Sequence, residues 1–187
     1  MSLPLIVGIS GATGVIYAIE ALKALKDMKV PTHLVISEAG VRTLAIESDV
    51  GLDELRGLAD VVHNIKDIGA SIASGSFRTR GMLIAPCSIK TLSGIAHSYS
   101  QNLLIRAADV TLKERRPLVL MVRETPLHKG HLELMVRASD LGALILPPMP
   151  AFYHRPTRIA DIVRQSVGRA LDHFGIDHPA VSRWQGG

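Results

Sequence analysis

The 187-residue chain has room for one domain with a sizeable core, and 47% hydrophobic with 20% charged residues excludes a disordered or low-complexity protein. Lys and Arg number 21 against 17 Asp and Glu; residues 1–95 balance at 9 and 9, so the whole +4 excess lies in residues 96–187, and with 4% aromatics and no basic run a nucleic-acid stripe or stacking platform is excluded. Cys87 is the single cysteine, so no intrachain disulfide forms and a reducing cytoplasmic setting is expected; no apolar run approaches the roughly 18–20 residues of a membrane span, and Leu3–Ile9, with no basic flank, is not expected to be a signal peptide.

Leu5–Ile9 is a short β-prone run ended by Ser10-Gly11-Ala12-Thr13-Gly14. A helix is predicted from Val15 to Met28, with Ile16, Ile19, Ala21, Leu22 and Leu25 as its apolar stripe, and Pro31 stops it. His33–Ser37 reads as a second strand, followed by helical patterning over Ala39–Glu47 and Asp53–Ala59. Ile68–Arg80, rich in Ser, Gly and Ala, reads as a loop with one helical turn. Met82–Ala85 is a buried-type strand leading into Pro86-Cys87-Ser88, with helices over Ile89–Ala96 and Leu103–Leu112 after it. Leu118–Val122 is a strand, then Arg123-Glu124-Thr125-Pro126 and a helix through Leu141. Ala143–Leu146 is the last predicted strand, before the proline-rich Pro147–Pro156. The final helix is given Thr157 as N-cap and a face of Ile159, Ile162, Val163, Val167, Ala170, Leu171 and Phe174.

Five short apolar strands alternating with helices indicate an α/β fold, a doubly wound and mostly parallel sheet, in a single domain over residues 1–187. Ligands of such sheets bind beyond the carboxyl ends of the strands. The loops Ser10–Gly14, Ser37-Glu38, Ser88–Thr91, Arg123–Thr125 and Pro147–Arg155 are therefore expected to ring one site.

Ser10–Gly14 lets the backbone approach a ligand and places helix amides near an anion; a bland tight turn is the alternative. Ile9 stands where a GxGxxG fingerprint has its first glycine, which disfavours NAD. Ser88, Lys90, Thr91 and the start of their helix could cradle a phosphate, or Ser88 could simply cap the helix beside a solvated Lys90. Arg123 could grip phosphate and Glu124 move a proton; a surface ion pair is the competing reading. The run Lys113-Glu114-Arg115-Arg116 reads as a solvated face, as does Arg169 beside Arg158, Asp161, Gln165 and Asp172 on the polar side of the last helix. Cys87 reads as a buried structural thiol, and His128 and His131, three apart with no third ligand, as structural rather than metal-binding.

Six motifs together are specific. Gly8–Gly14, Ala85-Pro86-Cys87-Ser88-Ile89-Lys90-Thr91-Leu92, Arg106–Val110, Leu112–Leu118, Arg123-Glu124-Thr125-Pro126-Leu127 and Pro147–Tyr153 resemble, in order and over nearly the whole chain, the flavin prenyltransferase family. This ubiquinone-pathway family was formerly described as 3-octaprenyl-4-hydroxybenzoate or phenylacrylic acid decarboxylase. The resemblance implies a Rossmann-like flavoprotein that joins a dimethylallyl group from dimethylallyl phosphate to reduced FMN without a metal. It further implies a prenylated-FMN-dependent decarboxylase as recipient of the product, and a homo-oligomer, a dodecamer, with sites at subunit contacts.

Carried over by the same resemblance, Ser10, Gly11, Ala12, Ser37, Ser88, Ile89, Lys90 and Thr91 bind FMN, and Arg123 sits between flavin and donor phosphate. Lys113, Glu124, Tyr153 and Arg169 match donor-phosphate positions, which displaces the surface reading of Lys113 and Arg169. Lys113 is expected to enter from a neighbouring subunit. Glu47 and Glu124 match acid–base carboxylates, Thr13 stands where many members have Ser, and Ala73 and Trp184 flank the prenyl chain. An FMN-dependent decarboxylase of the same fold and a non-catalytic FMN carrier remain the alternatives.

Overall fold

The computed structural model describes residues 2–179 and 181–186. Its centre is a six-stranded sheet of β1 (Leu5–Ile9), β2 (Thr32–Ile36), β3 (Val61–His63), β4 (Gly81–Cys87), β5 (Leu118–Val122) and β6 (Ala143–Ile145). The order is β3-β2-β1-β4-β5-β6 and every pairing is parallel. Helices on both faces are α1 (Val15–Asp27), α2 (Glu38–Glu47), α3 (Leu52–Arg56), α4 (Ile89–Ala96), α5 (Leu103–Lys113), α6 (Lys129–Asp140) and α7 (Ile159–Asp172). The central strands are apolar at nearly every position because both of their faces are covered.

Two cores result. One packs α1 and α7 on the sheet through Leu22, Leu25, Val163, Val167 and Leu171, and the other packs α4 and α5 through Leu92, Ile95, Leu104 and Ala108. Each such buried Leu, Ile or Val side chain contributes about 1.5–3 kcal/mol.

Three expectations are corrected. The sheet has a sixth strand, β3, at its edge, where Val61 and Val62 are half exposed and His63 shares a 2.9 Å hydrogen bond with His33 of β2. The N-cap of α7 is Arg158, not Thr157, because Asp161 Oδ2 accepts from the Thr157 and Arg158 amides and draws both into one turn. On that helix Ile159 is exposed and Gln165 is buried, the reverse of their predicted sides.

Strand order reverses between β1 and β4, each running its own way outward, so a crevice opens beyond their carboxyl ends. There the β4–β5 ladder slips between Ile84 and Cys87, across Pro86, which has no amide to give.

Candidate active site

Ser10 knits the crevice. Its hydroxyl donates to the Pro86 carbonyl at 2.9 Å and accepts from the Ser88 amide at 2.8 Å, so the loops after β1 and β4 hold one spacing. The residue is 1% exposed and its hydroxyl proton is spent on Pro86, so Ser10 sets the shape of the loop. A Cβ on Gly11 would lie 2.3 Å from Ala39 Cβ, so glycine is required for the loop to rest on the start of α2. Gly14 has φ 102°, a left-handed turn that favours glycine.

The resulting cleft of about 750 Å³ is reached by Gly11, Ser37, Ser88, Ile89, Lys90, Thr91 and Glu124. Three helices begin on it. Ser37 Oγ accepts from the Gly40 amide, Ser88 Oγ from the Thr91 amide, and Asn102 Oδ1 from the Ile105 amide. Their N-terminal dipoles, with Arg42 and Lys90, suit an anion, while Lys66 is paired with Glu38 at 3.5 Å and Glu124 adds a second carboxylate to the wall. Ser88 also donates to Thr91 Oγ1 at 3.2 Å, so its hydroxyl caps the helix in this structure.

The start of α1 is different. Glu47 Oε2 accepts from the Gly14 amide at 2.8 Å and the Val15 amide at 3.3 Å, so these amides already have their anion and are not open to a ligand phosphate. Partial burial pushes the Glu47 carboxyl up, but the Thr13 hydroxyl, the two amides and the charge of Arg123 together hold it below the usual carboxylate range. Glu47 is thus an ionised carboxylate at neutral pH that ties Thr13 to the start of α1, with the charge of Arg123 nearby. The Arg123 amide donates to the Cys87 carbonyl at 3.0 Å, which fixes the Arg123 backbone at the ends of β4 and β5. Cys87 itself is fully buried, and burial pushes its thiol up to about 12 despite a bond from the Leu92 amide, leaving an unreactive thiol.

A second, more apolar pocket of about 280 Å³ lies on the same edge of the sheet, beyond β5 and β6. It is lined by Met121, Leu146, Met149, Tyr153, Gln165 and Arg169 among others. Arg169 reaches Asp172 at 2.8 Å, and Trp184 lies edge-on to Tyr153 with ring centres 5.9 Å apart.

The five predicted loops therefore do not ring one cavity within a chain: the loops after β1, β2, β4 and β5 meet in the cleft, while residues 147–153 line the second pocket. Lys113 belongs to neither. It ends the helix whose cap, Asn102, borders the cleft, about 16 Å away at 1.5 Å per residue, and bonds to Glu114. Ala73 sits in the 3-10 turn Ser71–Ala73, buried in the core on the α5 side, and the following Gly75 abuts Lys113 and Glu114. Arg42, Lys66, Gln101 and Asn102 line the cleft but were not singled out from the sequence; Asn102 directly before a helical pattern was the available sign.

His128 caps α6 by accepting from the Gly130 amide at 3.1 Å and stacks on His131 at 3.6 Å, which gives the pair a structural task. Among the described residues no helix is long and apolar enough to cross a membrane.

Residues 2–167 match the model of the Flavoprotein family. The flavin prenyltransferase UbiX of Escherichia coli K12 is 60% identical over 185 residues, 97% of this chain and 98% of that protein. The crystal structure of AnUbiX (PadA1) in complex with FMN and dimethylallyl pyrophosphate superposes with a TM-score of 0.98 at 46% identity, covering 100% of both chains. The dodecameric FMN-dependent UbiX-like decarboxylase of Escherichia coli O157:H7 has a TM-score of 0.96 at 49% identity, covering 98% of this chain and 100% of that one.

Proposed function

The chain belongs to the flavin prenyltransferases of the Flavoprotein family, and on that premise we propose that it transfers a dimethylallyl group from dimethylallyl phosphate to reduced FMN. The observation that carries this reading is the pair of anion seats on one edge of the sheet, one at the α2 and α4 caps with Lys90 and one at Arg169 in an apolar pocket. The first suits the FMN phosphate. The second suits a small phosphate ester with a hydrocarbon tail.

FMN supplies an electron-rich ring as the prenyl acceptor; this chain's residues bind, orient and move a proton. Ser37, Ser88, Ile89, Lys90 and Thr91 hold the FMN phosphate and ribityl chain through hydroxyls, amides and one ammonium, on the frame that Ser10, Gly11 and Ala12 set. Breaking the allylic carbon–oxygen bond leaves negative charge on the donor's phosphate, and Arg123, Tyr153 and Arg169 take that charge. Glu47 keeps Arg123 and the Thr13 hydroxyl in place, and Glu124 on the cleft wall takes the proton that the acceptor ring loses. Lys113 joins the site from a neighbouring subunit, and Ala73 and Trp184, the latter beside Tyr153, flank the prenyl chain. A homo-oligomer of the kind seen in the dodecameric relative supplies that neighbour. The prenylated FMN is then passed to a partner decarboxylase in the cytoplasm, in the service of ubiquinone synthesis.

The test is to mix the protein anaerobically with reduced FMN and dimethylallyl phosphate and weigh the flavin. The expected result is a mass gain of one dimethylallyl unit. A parallel arm uses dimethylallyl pyrophosphate, the ester bound by AnUbiX. Unchanged flavin in both arms would reduce the protein to an FMN carrier, and carbon dioxide released from a thiol peptide would make it a decarboxylase.

A further inference from the structure

Gln165 lies on α7 between Val163 and Val167 and is 3% exposed. A buried primary amide must place two donors and an acceptor or lose stability. Gln165 Nε2 donates to Tyr153 Oη and to the Ser182 carbonyl, both at 2.8 Å, and its Oε1 accepts from the Ser182 amide at 3.0 Å. One side chain thus pairs with both backbone groups of a single residue in the C-terminal tail. Tyr153 Oη gives its own proton to the same Ser182 carbonyl at 2.9 Å. Next in the tail, Arg183 grips Asp172 at 3.0 and 2.9 Å, the carboxylate that also holds Arg169 at 2.8 Å. Trp184 then reaches Tyr153.

We propose that Gln165 is a positioning residue for the donor pocket: it anchors residues 181–184 there so that Tyr153 and Arg169 can turn to a phosphate without undocking the tail. This rests on the reading of Tyr153 and Arg169 as donor-phosphate residues. Tyr153 has one proton, and giving it to a phosphate takes it from the Ser182 carbonyl. Gln165 still donates to that carbonyl, so no carbonyl is stranded. Arg169 likewise can leave Asp172, because the docked tail keeps Arg183 there. Without Gln165, donor binding and tail docking would compete for the same phenol proton.

Trp184 is the chain's single tryptophan, so its emission anisotropy reports tail docking independently of catalysis. In Gln165→Glu a protonated carboxyl can copy the amide's pairing with Ser182, donating to the carbonyl and accepting from the amide, whereas a carboxylate cannot donate. At about pH 8 the variant is expected to show mobile Trp184 and a donor KM raised about tenfold with kcat and FMN affinity held. Both changes should fade as pH falls through the new carboxyl's pKa, which burial sets above about 4.3. The wild type should keep its anisotropy constant over that range. Ser182→Pro removes the amide that Gln165 accepts while leaving every core residue in place, and should loosen Trp184 and raise donor KM at all pH values.

Wild-type anisotropy in both variants would overturn the proposal, as would FMN affinity falling in step with donor KM. A wild type that prenylates no FMN would instead break the functional reading, and the Trp184 measurements would still decide the anchoring.

Discussion

The larger cleft is walled by strand ends and helix caps, and its frame is closed by bonds such as Ser10 to Pro86 and Ser88 that span 76 and 78 residues of chain. The smaller pocket is walled by Met121, residues between Leu146 and Tyr153 and one face of α7, and its charged group is already paired with Asp172. The cleft is a preorganised cradle of capped helix starts, in which Lys66 alone must leave a charged partner, Glu38, while Arg42 and Lys90 stand ready. The pocket is an exchange site: each group offered to a ligand gives up an internal partner.

The widest separation between the two regions is expected from Arg169→Ala. Removing a cation that grips phosphate costs about 3 kcal/mol, roughly a hundredfold in donor affinity. FMN affinity should stay within about twofold, because the cleft shares no lining residue with the pocket. Direct titration with FMN and with dimethylallyl phosphate checks both halves, and equal losses of both ligands would merge the two seats into one. Gly11→Ala is the converse. Its Cβ would meet Ala39 at 2.3 Å, and the loop or α2 must shift at a cost of about 1–3 kcal/mol. FMN affinity is expected to fall about tenfold to a hundredfold while free-protein donor binding holds. An FMN affinity equal to wild type would mean that the cradle tolerates movement.

The sequence revealed the cleft better than the pocket for physical reasons. Runs such as Leu5–Ile9 and Leu118–Val122 are apolar throughout because they are covered on both faces, and a serine directly before a helical pattern, as at Ser37 and Ser88, marks a cap from neighbours alone. Val61–His63 escaped because three half-exposed edge residues carry no period. Gln165 looked solvated because helical spacing puts it beside Arg158, Asp161 and Arg169; its burial comes from a tail that no periodicity announces. Lys113 stays apart from the cleft because the length of α5 sets that distance, and its assignment came from family resemblance rather than from pattern.

The smallest expected effect concerns Glu47, which belongs to the preorganised side of the comparison. Its carboxyl titrates below the usual range in the folded protein, so the unfolded chain takes up a proton first as pH falls. The stability that Glu47 contributes is therefore fully present above the unfolded carboxylate pKa of about 4.3, and is lost as pH drops through the lower folded value. In Glu47→Gln this component is absent at every pH, so the variant's Tm should lie below the wild type's at neutral pH and the gap should narrow below about pH 4. Thermal melts of both proteins from about pH 7 to pH 3 read this directly. A gap that stays constant through the acid range would mean that the α1 amides do not depend on the charge of Glu47, and the link from α1 through Glu47 to Arg123 would then be one of shape alone.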